Sequence, residues 1–282
     1  MLAEAVRLLA CPLCTSAFAE AGGSLRCEEG HSFDVARQGY VNLLSSDSAA
    51  GLGDTAKMVA AREAFLHAGH FDPLLDAVAE AAREAAGDEP GAVVDVGAGT
   101  GHYLAAGLDR MPDRAGMALD ASRYAARRAA RAHPRAGAVV CDVWRALPLR
   151  DGAARVLIDA FAPRNGPEMA RVLAEGGTLL VLTPTERHLA ELREPLAMLA
   201  VDEHKAERVD AALGTQLVAG RRTEIETEME LDHSSLRDLA TMGPSARHTD
   251  RAALDRRISA LPGRLAVTAS VTLTRWRVGP DS

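Results

Sequence analysis

The sequence predicts an α/β protein: a doubly wound, mostly parallel sheet preceded by a small metal-binding ribbon. Three observations carry that expectation. Three of the four cysteines and a histidine crowd into CPLCTSAFAEAGGSLRCEEGH, residues 11–31. A glycine-rich turn follows an apolar run in AVVDVGAGTGHYL, residues 92–104. Beyond it, short apolar runs ending in an acid alternate with helical segments, the rhythm of βαβ units.

The ribbon comes first. Its ligands are spaced Cys11-x2-Cys14, twelve residues, then Cys27-x3-His31. Two ligand pairs on tight knuckles, joined by a short ribbon, suit a tetrahedral Cys3His zinc site. Gly22-Gly23 falls midway between the pairs, where a hairpin must turn, and Pro12 and Gly30 suit the knuckles. Four protein ligands leave no position for a catalytic water, so the expected zinc is structural. No strand–helix thioredoxin pattern surrounds Cys11 and Cys14, which argues against a redox pair. The 282 residues carry a net charge of −7, so nothing global advertises nucleic acid. The opening MLAEAVRLLA lacks a signal-peptide pattern, and no run approaches the roughly 20 apolar residues of a membrane helix. The expected location is the cytoplasm, where cysteines stay reduced and a cluster of them holds metal.

The core follows in order. Residues 92–96 read as a buried parallel strand, Gly97, Gly99 and Gly101 as a tight turn, and a helix is expected from about His102. A strand ends at Asp120, 19 residues past Gly101, where a βαβ unit places an acid for a ribose. AGAVVCDVWRALPL places Asp142 after a third strand, and ARVLIDAFAP places Asp159 at the end of a fourth. Residues 173–177 precede the fifth strand, TLLVLT. Helices are expected over roughly 57–87. Residues 200–265 read as a charged, helical insertion with strands such as RTEIETEMELD over the substrate cleft, and VTASVTLTRWRV as an antiparallel edge.

The glycines are spaced G-x-G-x-G, which is not the nicotinamide pattern G-x-G-x-x-G. With Asp95 two residues ahead, the turn resembles motif I of class I S-adenosylmethionine-dependent methyltransferases, a Rossmann-like fold. That resemblance implies S-adenosylmethionine as cofactor. Asp120 would then hold the ribose hydroxyls, Asp142 the adenine amino group, and Asp95 would face the methionine amine through water or backbone. Two earlier stretches are more specific: HSFDVARQGYVNLL (31–44) and GDTAKMVAAREAFLHAGHFDPL (53–74). With TPTERHLAEL (183–192) and VTASVTLT (267–274), they resemble the 23S ribosomal RNA (guanine-N1)-methyltransferases with an N-terminal zinc domain, in their actinobacterial macrolide-resistance branch. The resemblance runs over essentially the whole chain. It implies methyl transfer to N1 of a hairpin-loop guanine in 23S rRNA, and a homodimer. It also implies cofactor contacts at Thr100, Gly101, Phe71 and His188. Phe71 stands where relatives often have tyrosine, and Arg247 where an aromatic is common.

On this reading residues 1–45 form a zinc-binding, RNA-recognising domain, 46–60 a linker and 61–282 the methyltransferase domain. Guanine N1 must lose its proton for transfer. Asp159 is the candidate base, against a structural role at the strand end, and Pro163 and Asn165 are candidate lining residues. Residues 1–45 hold three arginines against five acids, so RNA affinity would draw on Lys57, Arg62, Arg127, Arg128 and Arg131; the last three also fit a solvated helix face. His67 and His70, three apart, lack a third ligand and read as ordinary polar residues. Two other functions fit parts of the pattern: a small-molecule methyltransferase of antibiotic biosynthesis, and a non-catalytic RNA-binding protein with a vestigial cofactor fold.

Overall fold

A computed structural model describes residues 3–44, 53–198, 205–243 and 250–279. After α1 (Ala3–Val6), strands β1 (Phe18–Ala21), β2 (Ser24–Cys27) and β3 (Ser32–Asp34) form an antiparallel three-stranded ribbon. The β1–β2 hairpin turns at Gly22-Gly23, both at positive φ. Strand β4 (Tyr40–Asn42) precedes α2 (Ala56–His67) and α3 (Asp72–Ala86). The alternating part then runs β5 (Ala92–Val96), α4 (His102–Asp109), β6 (Gly116–Asp120), α5 (Arg123–Ala132) and β7 (Ala136–Val140). It continues with β8 (Ala154–Ala160), α6 (Gly166–Val172) and β9 (Leu173–Pro184). Helices α7 (Ala190–Leu196) and α8 (Lys205–Leu213), strand β10 (Leu217–Asp232), helices α9 (His233–Met242) and α10 (Arg251–Ser259), and strand β11 (Arg264–Val278) follow.

The main sheet has the order β10-β11-β9-β8-β5-β6-β7-β4. All pairs are parallel except those of β11, which runs antiparallel to both neighbours. The chain steps outward from β5 through β6 to β7, then returns to β8 and steps the other way. That reversal beside β5 opens a crevice at the carboxyl ends of the strands, where open α/β sheets bind ligands. The topology is that of a class I methyltransferase core.

Every residue of β5 and β7 is buried, because helices cover one face of this part of the sheet and apolar residues of the ribbon pack toward the other. Val93, Ile158 and Leu180 pack into one core with α3 and α4; Val94, Leu157 and Leu179 pack into another on the opposite face. The ribbon shares the second core, since Leu9, Phe18, Leu25 and Cys27 lie in it with Val139 and Leu147. Strand β4 also extends the sheet, pairing parallel with β7 from Tyr40↔Ala138 to Asn42↔Val140.

Three expectations change. The stretch RTEIETEMELD is not part of an insertion over the cleft: it is β10, the outermost strand at its end of the sheet. Its Glu224, Glu226, Glu228 and Glu230 face solvent, a charged edge that discourages further strand pairing. VTASVTLTRWRV is accordingly an inner strand rather than the edge. Residues 173–177 lie within β9, where the pairing with β8 shifts register after Ala154↔Leu173 and resumes at Val156↔Thr178. Residues 46–52 of the 46–60 linker, and Arg247, lie outside the described residues; the rest of the linker leads into α2.

Candidate active site and metal centre

The ribbon brings Cys11, Cys14, Cys27 and His31 together, with ligand atoms all within 4.8 Å of one another. Cys11 Sγ lies 3.6 Å from His31 Nδ1, Cys27 Sγ 3.4 Å from it, and Cys14 Sγ 3.5 Å from Cys27 Sγ. A tetrahedron with Zn–S bonds of about 2.3 Å has edges near 3.8 Å, so these spacings suit a single zinc ion. The knuckles explain the convergence. Cys11 N–H donates to Ser16 O and Thr15 N–H to Cys11 O, while Gly30 takes a positive φ so that Cys27 N–H meets His31 O. Hydrogen bonding with the Ser16 side chain and backbone holds the Cys14 thiol down at about 6, favouring the thiolate that metal requires.

The second constellation lies at the carboxyl ends of β5, β6 and β7. Gly97, at φ +72°, turns the chain out of β5; a Cβ there would stand 2.4 Å from that of Ala162, so only glycine lets the two strand-end loops meet. Gly101 caps α4 from the left-handed region. Asp120 joins the two ends of the turn, as its Oδ2 accepts Gly99 N–H at 2.8 Å and its Oδ1 accepts Ser122 N–H at 2.7 Å. Asp142 accepts Trp144 N–H at 3.0 Å and lies 3.6 Å from the Arg145 guanidinium.

Asp95 is 1% exposed, and among the described residues its Oδ2 has no hydrogen-bond partner. Burial, reinforced by the charges of Asp159 and Asp120, pushes its carboxyl up to about 8. Burial also raises Asp120, to about 6. The hydroxyl of Tyr103, near enough to feel the Asp95 charge, is buried without a partner too. Carboxylates raised in this way are relieved by a cation. S-adenosylmethionine carries two, a sulfonium and an ammonium, and the glycine turn beside Asp95 and Asp120 has the donor and acceptor set that its methionine end and ribose need. The residues fit the cofactor.

A strap covers this turn. Ser122 Oγ donates to Asp54 O at 2.6 Å, and a Cβ on Gly53 would stand 2.5 Å from Ser122 N. Arg62, from α2, pairs with Asp54 at 2.5 Å, donates to Met242 O at 2.9 Å, and lies against Gly99. The specific early motif 53–74 is therefore a piece of the site, not only of the connection to it.

The remaining candidates separate. Thr100 is buried in the turn, its Oγ1 2.8 Å from His102 Nδ1. Phe71 is buried, edge-on to Phe65 and 6.2 Å from the His188 ring. His188 Nδ1 accepts Ser270 N–H at 3.2 Å, which fixes the ring on β11. Asp159 is fully buried and paired with Arg164 at 3.1 Å. Asn165 caps α6 and donates to Trp144 O and Arg145 O, tying two site loops together. His67 and His70 have separate partners: His70 Nε2 bonds Ser235 Oγ, while His67 Nδ1 bonds Glu63 O and its ring lies edge-on to His102.

Two aromatics were missed. Phe161 stands at φ +57°, a conformation that costs a bulky residue about 1–2 kcal/mol, and this holds its ring 39% exposed and 5.7 Å from His188. Trp144, two residues after Asp142, is 63% exposed. An aromatic two residues after a strand-end acid was the only signal for either.

The sequence profile of the family described as RlmA, N-terminal, a zinc ribbon, matches residues 9–48. The chain is 50% identical over 281 residues to the 23S rRNA (guanine(748)-N(1))-methyltransferase of Streptomyces fradiae, covering 99% of this chain and 100% of that one. It is 49% identical to a Micromonospora griseorubida protein with the provisional name 23S rRNA (guanine-N(1)-)-methyltransferase, over 95% of this chain and 97% of that one. A Bacillus subtilis protein, YxjB, provisionally named in the same way, is 37% identical over 65% of this chain and 67% of its own. Ribbon, strap and acid-lined sheet edge thus fall inside one continuous match, and the chain belongs to the family of 23S rRNA (guanine-N1)-methyltransferases.

Proposed function

We propose that the chain transfers the S-adenosylmethionine methyl group to N1 of a hairpin-loop guanine in 23S rRNA, and that this contributes to macrolide resistance. The observation that carries the reading is the end-to-end identity of half the residues with the Streptomyces fradiae enzyme, ribbon included. We propose further that residues 1–45 act as the zinc-bearing RNA-recognition unit and 61–282 as the methyltransferase unit, in a cytoplasmic homodimer. No helix among the described residues is long and apolar enough to cross a membrane.

In this mechanism the cofactor supplies a methyl group already activated on sulfonium, so the protein's work is positioning. Asp95 meets the methionine ammonium with its unpartnered oxygen. Asp120 orients the ribose hydroxyls, Asp142 the adenine amino group, and Gly97, Gly99, Thr100 and Gly101 form the cradle. Phe71 and His188 serve the cofactor side, the exposed ring of Phe161 beside His188 offers a stacking face to a flipped base, and unstacking a loop base costs little. The ion pair with Arg164 favours the strand-end role for Asp159 over that of proton acceptor.

The test is methyl transfer from labelled cofactor to protein-free large-subunit rRNA, followed by nucleoside analysis. Label in N1-methylguanosine is the expected result. A protein that binds cofactor but labels no RNA would redirect the search to small-molecule acceptors.

A further inference from the structure

Helix α5, RYAARRAARA, divides into two faces. Ala125, Ala126 and Ala129 are buried against the sheet, while Arg127, Arg128 and Arg131 occupy the other side. The small buried face allows α5 to approach the glycine turn closely: a Cβ on Gly101 would stand 3.0 Å from Ala129 Cα and from Ala132 Cβ. The three arginines therefore line a cavity of about 630 Å3 between α2, α4 and α5, together with Thr100 of the turn itself.

The charge in this cavity is unbalanced. Arg128 is paired with Glu63 at 3.0 Å, whereas Arg127 and Arg131 make no ion pair among the described residues. Glu63 is the one carboxylate in the lining, against three guanidinium groups, in a chain whose net charge is −7. Burial and the neighbouring His67 push the His102 imidazole below its usual range, so the positive charge belongs to the arginines. An enzyme with a net negative charge needs a local attraction for a polyanion, and the planar guanidinium fork matches the phosphate group. Because Thr100 is common to the cavity and the turn, a strand that delivers its base to the site has its backbone within reach of these forks.

We propose that Arg127 and Arg131 grip the phosphodiester backbone of the substrate RNA beside its target guanine, with Arg128 braced by Glu63. The proposal rests on the RNA-methylation reading. It is tested with the full-length protein and a hairpin RNA of the target loop, measuring methyl-transfer kinetics between about 50 and 200 mM salt. For the double variant R127A/R131A the expected result is a KM for RNA raised about tenfold and a salt slope reduced by about two, one for each phosphate lost. The kcat and the KM for cofactor should stay within about twofold of wild type, as phosphate contacts position without specifying. The charge-retaining R127K/R131K should keep most of the wild-type slope. A folded double variant with wild-type KM and slope would overturn the proposal while leaving the RNA reading intact. Wild-type protein that binds cofactor but methylates no RNA would overturn both.

Discussion

At Asp95 the needs of folding and of binding oppose each other. Its carboxyl is raised to about 8 by burial, whereas an unfolded aspartate titrates near 3.8. A raised acid favours its protonated form in the folded chain, so this group contributes most to stability below about pH 4. That contribution is lost as pH rises through 8. Asp95→Asn should therefore raise the Tm of the cofactor-free protein, with a gain that grows from pH 5 to pH 8. It should also weaken S-adenosylmethionine binding by about tenfold to a hundredfold, the scale of a lost charged hydrogen bond. Thermal scans at several pH values, with calorimetric titration of the cofactor, check both. A variant less stable at pH 8 and with unchanged affinity would remove Asp95 from the site. Asp95, Asp120 and Asp142 were legible because each stands at a strand end, next to a turn that its spacing announces. Phe161 was not, because its exposure comes from a left-handed backbone held by tertiary structure, which no periodicity records.

Among the elements, the segment from Gly53 to α2 links the cofactor turn to the C-terminal half of the chain. Arg62 touches all three parts: Asp54, the carbonyl of Met242 at the end of α9, and Gly99. A partly exposed ion pair contributes only about 0–1 kcal/mol, so Arg62→Ala should lower Tm by no more than about 4 °C. It should nonetheless weaken cofactor affinity severalfold by loosening the strap over the turn; titration calorimetry would detect the change, and unchanged affinity would make the strap a bystander. The helices here were legible from composition, and their position over Gly99 was not, since it depends on Ser122 and Met242, distant in sequence. The same limit misplaced β10. Its alternation of glutamate with Ile225, Thr227 and Met229 marks a half-buried strand, but only the pairing with β11 shows that it extends the main sheet.

The molecule as a whole joins its metal ribbon to its catalytic sheet through a shared core and through β4. Zinc loss should be felt well beyond residues 11–31. Cys14→Ser should abolish stoichiometric zinc and lower Tm by about 4–8 °C, equivalent to about 2 kcal/mol for a domain of this size. Metal analysis with thermal scanning checks this; a variant that loses zinc without losing stability would make the ribbon an independent appendage. The metal ligands were fully legible, because four of them within 21 residues leave little else for the segment to do. The merging of ribbon and sheet was not, because Phe18 and Leu25 carry no mark of which core they will enter. The central claim is that cofactor cleft, ribbon and basic cavity serve one guanine in a ribosomal RNA loop. Methylation of N1 blocks base pairing, so primer extension on rRNA treated with the protein and S-adenosylmethionine tests it most directly. A single cofactor-dependent stop at a hairpin-loop guanine is the expected result. Full-length extension products after complete incubation would contradict it.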